Sequence, residues 1–591
     1  MANFLIVVDP DRERRERFAA QAAPRIACVG GLVAGRAESG DLVVLWAAWP
    51  GSQVDWFDAA DRAAVVWGDA IPGPGPARVD ARALAAAWDD GNTAPAAFDG
   101  YHAAVSFAPH AGLTLGSDVL GFFPLYWAVR DGVLLAGSSP ELFGLHPGFS
   151  VEVDPSGLLG LLLTHSPFAG RTLLRGVRRL PAGHALRWNR QRGAREVRQY
   201  AITSSRDLDR LGCREHVEIL DQAWAEAMRR HVPAGTPVGL LLSGGRDSRL
   251  FAGYLQTDGV AVEALTFGLP SDHDARCAAG VAERAGFPHR LVETEAEALP
   301  RGAELQARWE HLAAGFSNLH TWGMMEALRE SPARTVCGYG RDIREMDEEP
   351  ADFDAFFRRQ NRRALPLAEL QRMLRRGTAE VSPEEMVARV RRDYEAAADD
   401  EKDRPWRWVL AHYKRFHVGG VPWHLCFGSW PILPILDRAV LEVLAAIPAS
   451  SLARRRAQDE ILRRRFPELA RLPLDRNDAD VLPLLPSARA RWTARVGALR
   501  RHFRHRGGKP LNDLERRRYY RVYDFNGPGW RSVRRLAEPH RERLAEWFRM
   551  DELRTYLPAP DSDVEFSDGI LDSFGRKLLV GLMLWSADHP T

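Results

Sequence analysis

Val238-Gly239-Leu240-Leu241-Leu242-Ser243-Gly244-Gly245-Arg246-Asp247-Ser248 is the stretch whose reading decides the fold. The apolar run 238–242 stops at Ser-Gly-Gly, and residues 248–255 follow at once with helical spacing. A buried strand that passes through a tight loop into a helix N-terminus explains this pattern. Glycine lets the backbone turn sharply and leaves its amides uncovered. The helix start adds unpaired N–H groups and the positive end of the helix dipole. Together they make an anion cradle suited to phosphate or pyrophosphate. Asp247 sets a carboxylate in the same loop, where an Mg²⁺ carried on phosphates takes oxygen ligands. The plainer alternative is a strand, a turn and a helix capped by Ser and Asp.

The loop lacks the Gly-Lys-Ser/Thr ending of a Walker sequence and the third glycine of a dinucleotide fingerprint. A second segment, Val336-Cys337-Gly338-Tyr339-Gly340-Arg341-Asp342, repeats its logic: an apolar strand ends in glycines and an aspartate. Two carboxylates from two strand ends could hold Mg²⁺ between them. Alone, the second segment reads equally as a glycine-rich turn capped by Asp342.

The chain has 591 residues, a length that suggests about two to four domains. A hydrophobic content of 45% supplies sizeable cores. With a formal net charge of +2, the balance of the whole chain implies no nucleic-acid or membrane partner. The five cysteines (28, 213, 277, 337 and 426) are scattered, without zinc-ligand spacing. Reduced thiols fit a cytoplasmic protein. Residues 1–9 are too short an apolar run for a signal peptide, and no stretch reaches the roughly 18 apolar residues of a membrane span.

Residues up to about 200 read as mostly β, with short apolar runs at 4–8, 42–47, 63–67, 103–107, 113–115, 122–129, 133–136 and 185–188, and helices at 80–89 and 155–162. From 210 to 345 helices and strands alternate: helix 214–230, strand 238–242, helix, strand 262–267, helix 274–285, strand 290–292, helix 304–312, strand 335–338. Repeating βα units imply a parallel sheet with helices on both faces, whose ligands sit at the carboxyl ends of the strands. Beyond 345 the chain reads as charged and helical. The basic segment 489–509, with Trp492, His502, Phe503 and His505, suits either an acidic, RNA or lipid partner or a solvated helix face. Likewise His320, Trp322, Trp423, His424 and Trp430 suit a substrate pocket or a helical core.

Over nearly its whole length the chain resembles the asparagine synthetase family. Ser-Gly-Gly-x-Asp-Ser after a strand is similar to the pyrophosphate loop of the ATP pyrophosphatases. Asp118-Val119-Leu120-Gly121-Phe122-Phe123-Pro124-Leu125-Tyr126 resembles the family's D-x-x-G-x-x-P-L-Y hairpin, and residues 136–142 and 180–184 resemble its A-S-E and L-P-x-G segments. The resemblance implies an α/β fold: an αββα glutaminase-like sandwich over 1–205, then an ATP-pyrophosphatase domain over 206–591 with a helical C-terminal part. It implies that Ser243, Gly244, Gly245, Asp247 and Ser248 bind pyrophosphate, that Asp247 and Asp342 bind Mg²⁺, and that Leu241, Thr266 and Gly340 lie near the adenosine of ATP. The chemistry implied is adenylation of a substrate carboxylate with release of pyrophosphate, then amine attack to give an amide.

The chain departs from the family at its N-terminus. A glutaminase needs a cysteine directly after Met1; here that residue is Ala2, and the family's Asn-Gly glutamine-binding pair reads Trp67-Gly68. Such loss is shared by β-lactam synthetases, carbapenam synthetases and lasso-peptide cyclases, in which an amine of the substrate attacks the adenylate. Tyr339 stands close to the catalytic tyrosine of β-lactam synthetases, with His417 as the candidate in place of their glutamate. The family's late lysine has no counterpart in Leu472-Pro473-Leu474-Asp475-Arg476-Asn477-Asp478, leaving Arg476 as the candidate cation. The reading is an ATP-dependent, glutamine-independent amide ligase acting on a small-molecule or peptide carboxylate and amine. A homodimer is compatible with it. An ammonia-fed asparagine synthase and a degenerate nucleotide-binding scaffold are the alternatives.

Overall fold

A computed structural model describes residues 2–88, 94–293, 298–339, 344, 350–375, 381–475, 482–492, 495–496, 518–568 and 570–589. Its first strands are β1 (Ala2–Val8), β2 (Val33–Ser39), β3 (Leu42–Ala48), β4 (Val54–Ala59), β5 (Arg62–Gly68) and β6 (His102–Ala108). There follow β7 (Gly112–Ser117), β8 (Tyr126–Arg130), β9 (Val133–Gly137), β10 (Arg178–Arg179), β11 (His184–Asn189) and β12 (Gly193–Arg198). They form two antiparallel sheets, ordered β10-β8-β9-β1-β3-β2 and β12-β11-β7-β6-β5-β4.

The alternation of side chains along β5 builds the layers. Ala63, Val65 and Trp67 face the first sheet, whereas Ala64 and Val66 face α2 (Ala81–Trp88) through Leu84, Ala85 and Trp88. The Trp67 ring stacks on Phe4 of β1, with centroids 4.0 Å apart. On the far side of the first sheet, α1 (Arg12–Ala22) packs against β3, which is buried at every residue. The result is the αββα sandwich.

The second half is built on a parallel sheet of β13 (Val238–Leu241), β14 (Val262–Phe267), β15 (His289–Val292), β16 (Arg334–Val336) and β17 (Trp430–Ile432), ordered β15-β14-β13-β16-β17. In register, Leu240 faces Ala264 on one side and Val336 on the other. Helices α4 (Cys213–His231), α5 (Asp247–Thr257), α6 (His273–Ala285) and α7 (Ala298–Glu310) alternate with the first four strands. β17 corrects the expectation that the chain beyond 345 is wholly helical. It is a three-residue edge strand containing Pro431, and proline is confined to such edges.

The two halves share one core. Gly68, at φ 92°, lies flat under the Trp430 ring, where an added Cβ would stand 1.9 Å from the ring. Trp430 Nε1 donates to the Tyr101 carbonyl at 3.0 Å, and Arg334 donates twice to the Asp69 carboxylate at 2.9 Å. Trp322, Trp423, His424 and Trp430 are all buried, Trp322 stacking on His424 at 4.4 Å. This resolves the aromatic cluster as core. Among the described residues no helix is long and apolar enough to cross a membrane, and all five cysteines are free.

The junction also carries a titratable group. His165 ends the helix Pro155–Thr164 in a left-handed conformation (φ 59°), its buried ring 5.4 Å from Phe574 and 5.9 Å from His417. Among the described residues neither ring nitrogen has a hydrogen-bond partner. Burial, then the charges of Lys577 and Arg363, push its pKa down to about 3, against about 6.5 unfolded. The folded chain therefore binds fewer protons than the unfolded chain below pH 6.5. Stability is expected to be full above pH 6.5 and to fall as the pH drops toward 3, by on the order of a few kcal/mol. Urea midpoints across that range test this, with His165→Phe flattening the profile; an equal slope in the variant would refute the assignment.

Candidate active site

The decisive loop lies where the parallel sheet places ligands. β13 ends at Leu241, residues 242–246 form the loop, and α5 begins at Asp247. Gly244 is required sterically: a Cβ there would meet Cys277 Cβ at 2.7 Å and Asp475 Cβ at 2.8 Å. Gly338 is similarly placed beyond β16, where an added Cβ would lie 3.2 Å from Asp247 Cβ. The two strand ends thus bring Tyr339, half-buried and packed on the core, next in sequence to a glycine that abuts Asp247.

The glycine amides differ from expectation, for they are covered. Gly244 N–H donates to Asp274 Oδ1 at 2.6 Å, and Gly245 N–H to Ser243 Oγ at 3.2 Å. Ser243 N–H donates to Ser248 Oγ at 2.9 Å. Each amide has drawn a side-chain oxygen, because buried N–H groups are satisfied locally. The arrangement fits an oxyanion: amides that hold a carboxylate and two hydroxyls present the donors that phosphate oxygens take.

Asp247 is held from the far side. Its Oδ1 accepts from Gln458 Nε2 at 2.6 Å and its Oδ2 from Arg455 Nη1 at 3.1 Å. Arg246 Nε donates to Asp459 Oδ1 at 2.5 Å. Beneath the loop, fully buried Arg249 donates to the carbonyls of Gly244 (3.2 Å), Leu469 (3.0 Å), Leu472 (2.9 Å) and Pro473 (2.5 Å). Asp475 N–H closes the ring on Gly244 O at 3.0 Å. Burial lowers the Arg249 pKa to about 10, so it stays charged at neutral pH. The oxygen of Asp247, partly exposed within the loop, is the donor type Mg²⁺ selects.

Of the remaining candidates, Leu241 is half-buried at the end of β13. Thr266 is buried; its hydroxyl donates to Leu242 O at 2.7 Å and lies 2.8 Å from His289 Nε2, so it braces the loop from β14. Ser248 Oγ is 3.0 Å from Ser243 Oγ. His417 sits elsewhere, in the π-helical turn Leu410–Val418. Its ring stacks on Tyr413 at 4.8 Å, and its Nδ1 is 3.2 Å from Ser317 Oγ. Burial and then His165 hold its pKa far below the imidazole range, so it is neutral at pH 7. Gly340, Asp342 and Arg476 lie outside the described residues, as does most of the basic segment 489–509, of which Trp492 is exposed.

Sequence reasoning missed Asp274, Arg249, Arg455, Gln458 and Asp459. Only Asp274 carried a signal, as an acidic residue in the first turn of α6 directly after β14. Arg456, next to Arg455, lines a cleft of about 760 Å³ with Arg206, Arg344, Lys402, Asp403 and Trp406.

Two family descriptions match the chain: a glutamine amidotransferase domain over residues 77–201 and asparagine synthase over residues 220–337. The second includes the 243–248 loop and stops before Tyr339. None of the curated proteins matches. Among solved structures, the chain is similar to an allosteric regulatory enzyme of purine biosynthesis, at 9% identity over 51% of this chain and 82% of that one, with a TM-score of 0.23. It is also similar to glutamine phosphoribosylpyrophosphate amidotransferase from B. subtilis, at 11% identity over 49% of this chain and 65% of that one, with a TM-score of 0.23. A third is a predicted subunit of tRNA methyltransferase from Methanocaldococcus jannaschii, at 22% identity over 21% of this chain and 65% of that one, with a TM-score of 0.15. The chain thus spans less than two thirds of the last two, and scores this low carry no functional weight. The chain thus carries an asparagine synthase segment behind a glutamine amidotransferase segment, the pairing that its resemblance to the asparagine synthetase family implies.

Proposed function

We propose that the chain is an ATP-dependent ligase that adenylates a carboxylate, releases pyrophosphate and lets an amine form an amide, without hydrolysing glutamine. The observation that carries this reading is the 243–248 loop at the carboxyl end of β13, with amides that already hold oxyanion-like oxygens and Asp247 at the helix start. Bound Mg²⁺ would neutralise phosphate charge; Asp247, with Asp342 as its expected partner, would hold it. The loop amides and the α5 N-terminus stabilise the charge that builds on the leaving pyrophosphate. Arg249 fixes the loop backbone from below through the Gly244 carbonyl, so the amides keep their places when phosphate oxygens replace the side-chain oxygens they hold.

Glutamine independence is supported by the N-terminal sandwich. No cysteine stands in β1 (Ala2–Val8), and the Trp67 ring, fully buried, stacks on Phe4 of that strand. A buried Trp67 at the position of the family's Asn supports a sandwich that does not bind glutamine. The cleft of about 760 Å³ beside Arg456 is the proposed chamber for the carboxylate and amine substrate, small molecule or peptide. Free cysteines support a cytoplasmic setting. The second reading, an ammonia-fed asparagine synthase, is favoured by the match over 220–337.

Pyrophosphate release from ATP and Mg²⁺, with and without aspartate plus ammonium, tests both. Release independent of aspartate, or dependent on another carboxylate, is the expected result. Strict aspartate dependence would establish the second reading. Silence with every carboxylate, despite ATP binding, would leave a nucleotide-binding scaffold.

A further inference from the structure

Arg454 and Arg455 are consecutive residues at positive φ, 54° and 62°. Side chains with a Cβ avoid this left-handed region, and neighbouring elements must hold such residues there. Here the helix Arg456–Arg465 begins directly after them. Its first turn is fastened to two neighbouring residues, by Gln458 to Asp247 Oδ1 and by Asp459 to Arg246. The outcome of the strained turn is specific. Arg454 and Arg456 are exposed, whereas Arg455 is turned inward, its Nη1 3.1 Å from Asp247 Oδ2.

We propose that Arg455 is a phosphate-contacting residue, the cation that meets the pyrophosphate end of the nucleotide. This rests on the pyrophosphate-loop reading above. Asp247 is the one anion of the loop itself, and in this arrangement Arg455 is its counter-ion. When the carboxylate turns to a cation carried on the phosphates, the guanidinium beside it faces a phosphate oxygen instead. A planar guanidinium with several donors suits that exchange. The position also supplies positive charge in a region where the family's late lysine has no counterpart. A residue kept in a left-handed conformation that glycine would occupy without penalty points to the side chain, not the backbone, as the reason for its place.

The test is calorimetric titration of inorganic pyrophosphate in the presence of Mg²⁺ into wild type, Arg455→Gln, Arg455→Gly and Arg455→Lys, with a thermal melt of each. The expected result is a loss of roughly ten-fold or more in affinity for the Gln and Gly variants, and of about three-fold or less for Lys. Arg455→Gly is expected to melt no lower than wild type, because glycine relieves the backbone. Unchanged affinity in folded Gln and Gly variants would overturn the assignment, as would a lower melting point for Arg455→Gly, which would make the residue structural. Failure of the wild type itself to bind pyrophosphate would instead overturn the loop reading, and this inference with it.

Discussion

Asp247→Ala is expected to lower pyrophosphate release by roughly 10²–10³-fold or more, with the fold retained. The carboxylate stands at the start of α5, in the loop whose amides already gather oxygens, and is bonded by Arg455 and Gln458. Removing it takes away the oxygen ligand proposed for Mg²⁺ and the anchor that sets the guanidinium beside the phosphates. The structural cost is small, because the pair is partly exposed, with side chains 32% and 28% accessible; such ion pairs contribute about 0–1 kcal/mol. A coupled phosphate assay of pyrophosphate release, run beside a thermal melt, decides the matter. Unchanged turnover in a folded variant would sink the pyrophosphate-loop assignment.

Arg249→Met should act in the opposite manner, through the fold first. Arg249 is fully buried and, among the described residues, pairs with no carboxylate; carbonyl dipoles from Gly244, Leu469, Leu472 and Pro473 face its charge. Methionine fills much of the volume but leaves those carbonyls without their donor. The expected destabilisation is on the order of 3–5 kcal/mol, the range for breaking a buried charged network. Activity falls with it, because the segment 469–475 loses most of its ties to the loop. Urea unfolding and pyrophosphate release measured on one preparation check this. A variant as stable as wild type would refute the account.

The parts legible in sequence were those with a local physical cause. The strand at β13 and the helix after it showed because an apolar run met Ser-Gly-Gly, and βα alternation from 238 to 336 gave the parallel sheet. β8 was overextended: the apolar run 122–129 reads as one strand, but the Asp118 carboxylate accepts the amides of Leu120, Phe122 and Phe123 and holds that part as a turn. α1 was missed because its apolar face is only Phe18, Ala19 and Ala22, after six consecutive arginines and glutamates. β2, β4 and β12, largely exposed, offered no apolar run. The turn from β13 through Ser243-Gly244-Gly245 into α5 was legible from spacing. Gln458 and Arg455 were not, since they reach Asp247 from more than two hundred positions away and two left-handed arginines leave no mark in composition.

The late arrival of β17 governs how this protein can be made. Trp430–Ile432 pairs with β16, which left the ribosome about a hundred residues earlier, and the Trp430 ring is the piece that seats on Gly68 of the first half. Until that tryptophan emerges, the edge of β16 is open and the flat patch over Gly68 is bare. Contacts so distant in sequence form slowly, and unpaired edges aggregate. The growing chain therefore carries the bare patch over Gly68 from its first half onward and the open β16 edge for about a hundred residues, and one short strand closes both. Shielding of that interval, by a chaperone or by slow translation near residue 430, is expected to raise the yield of folded protein.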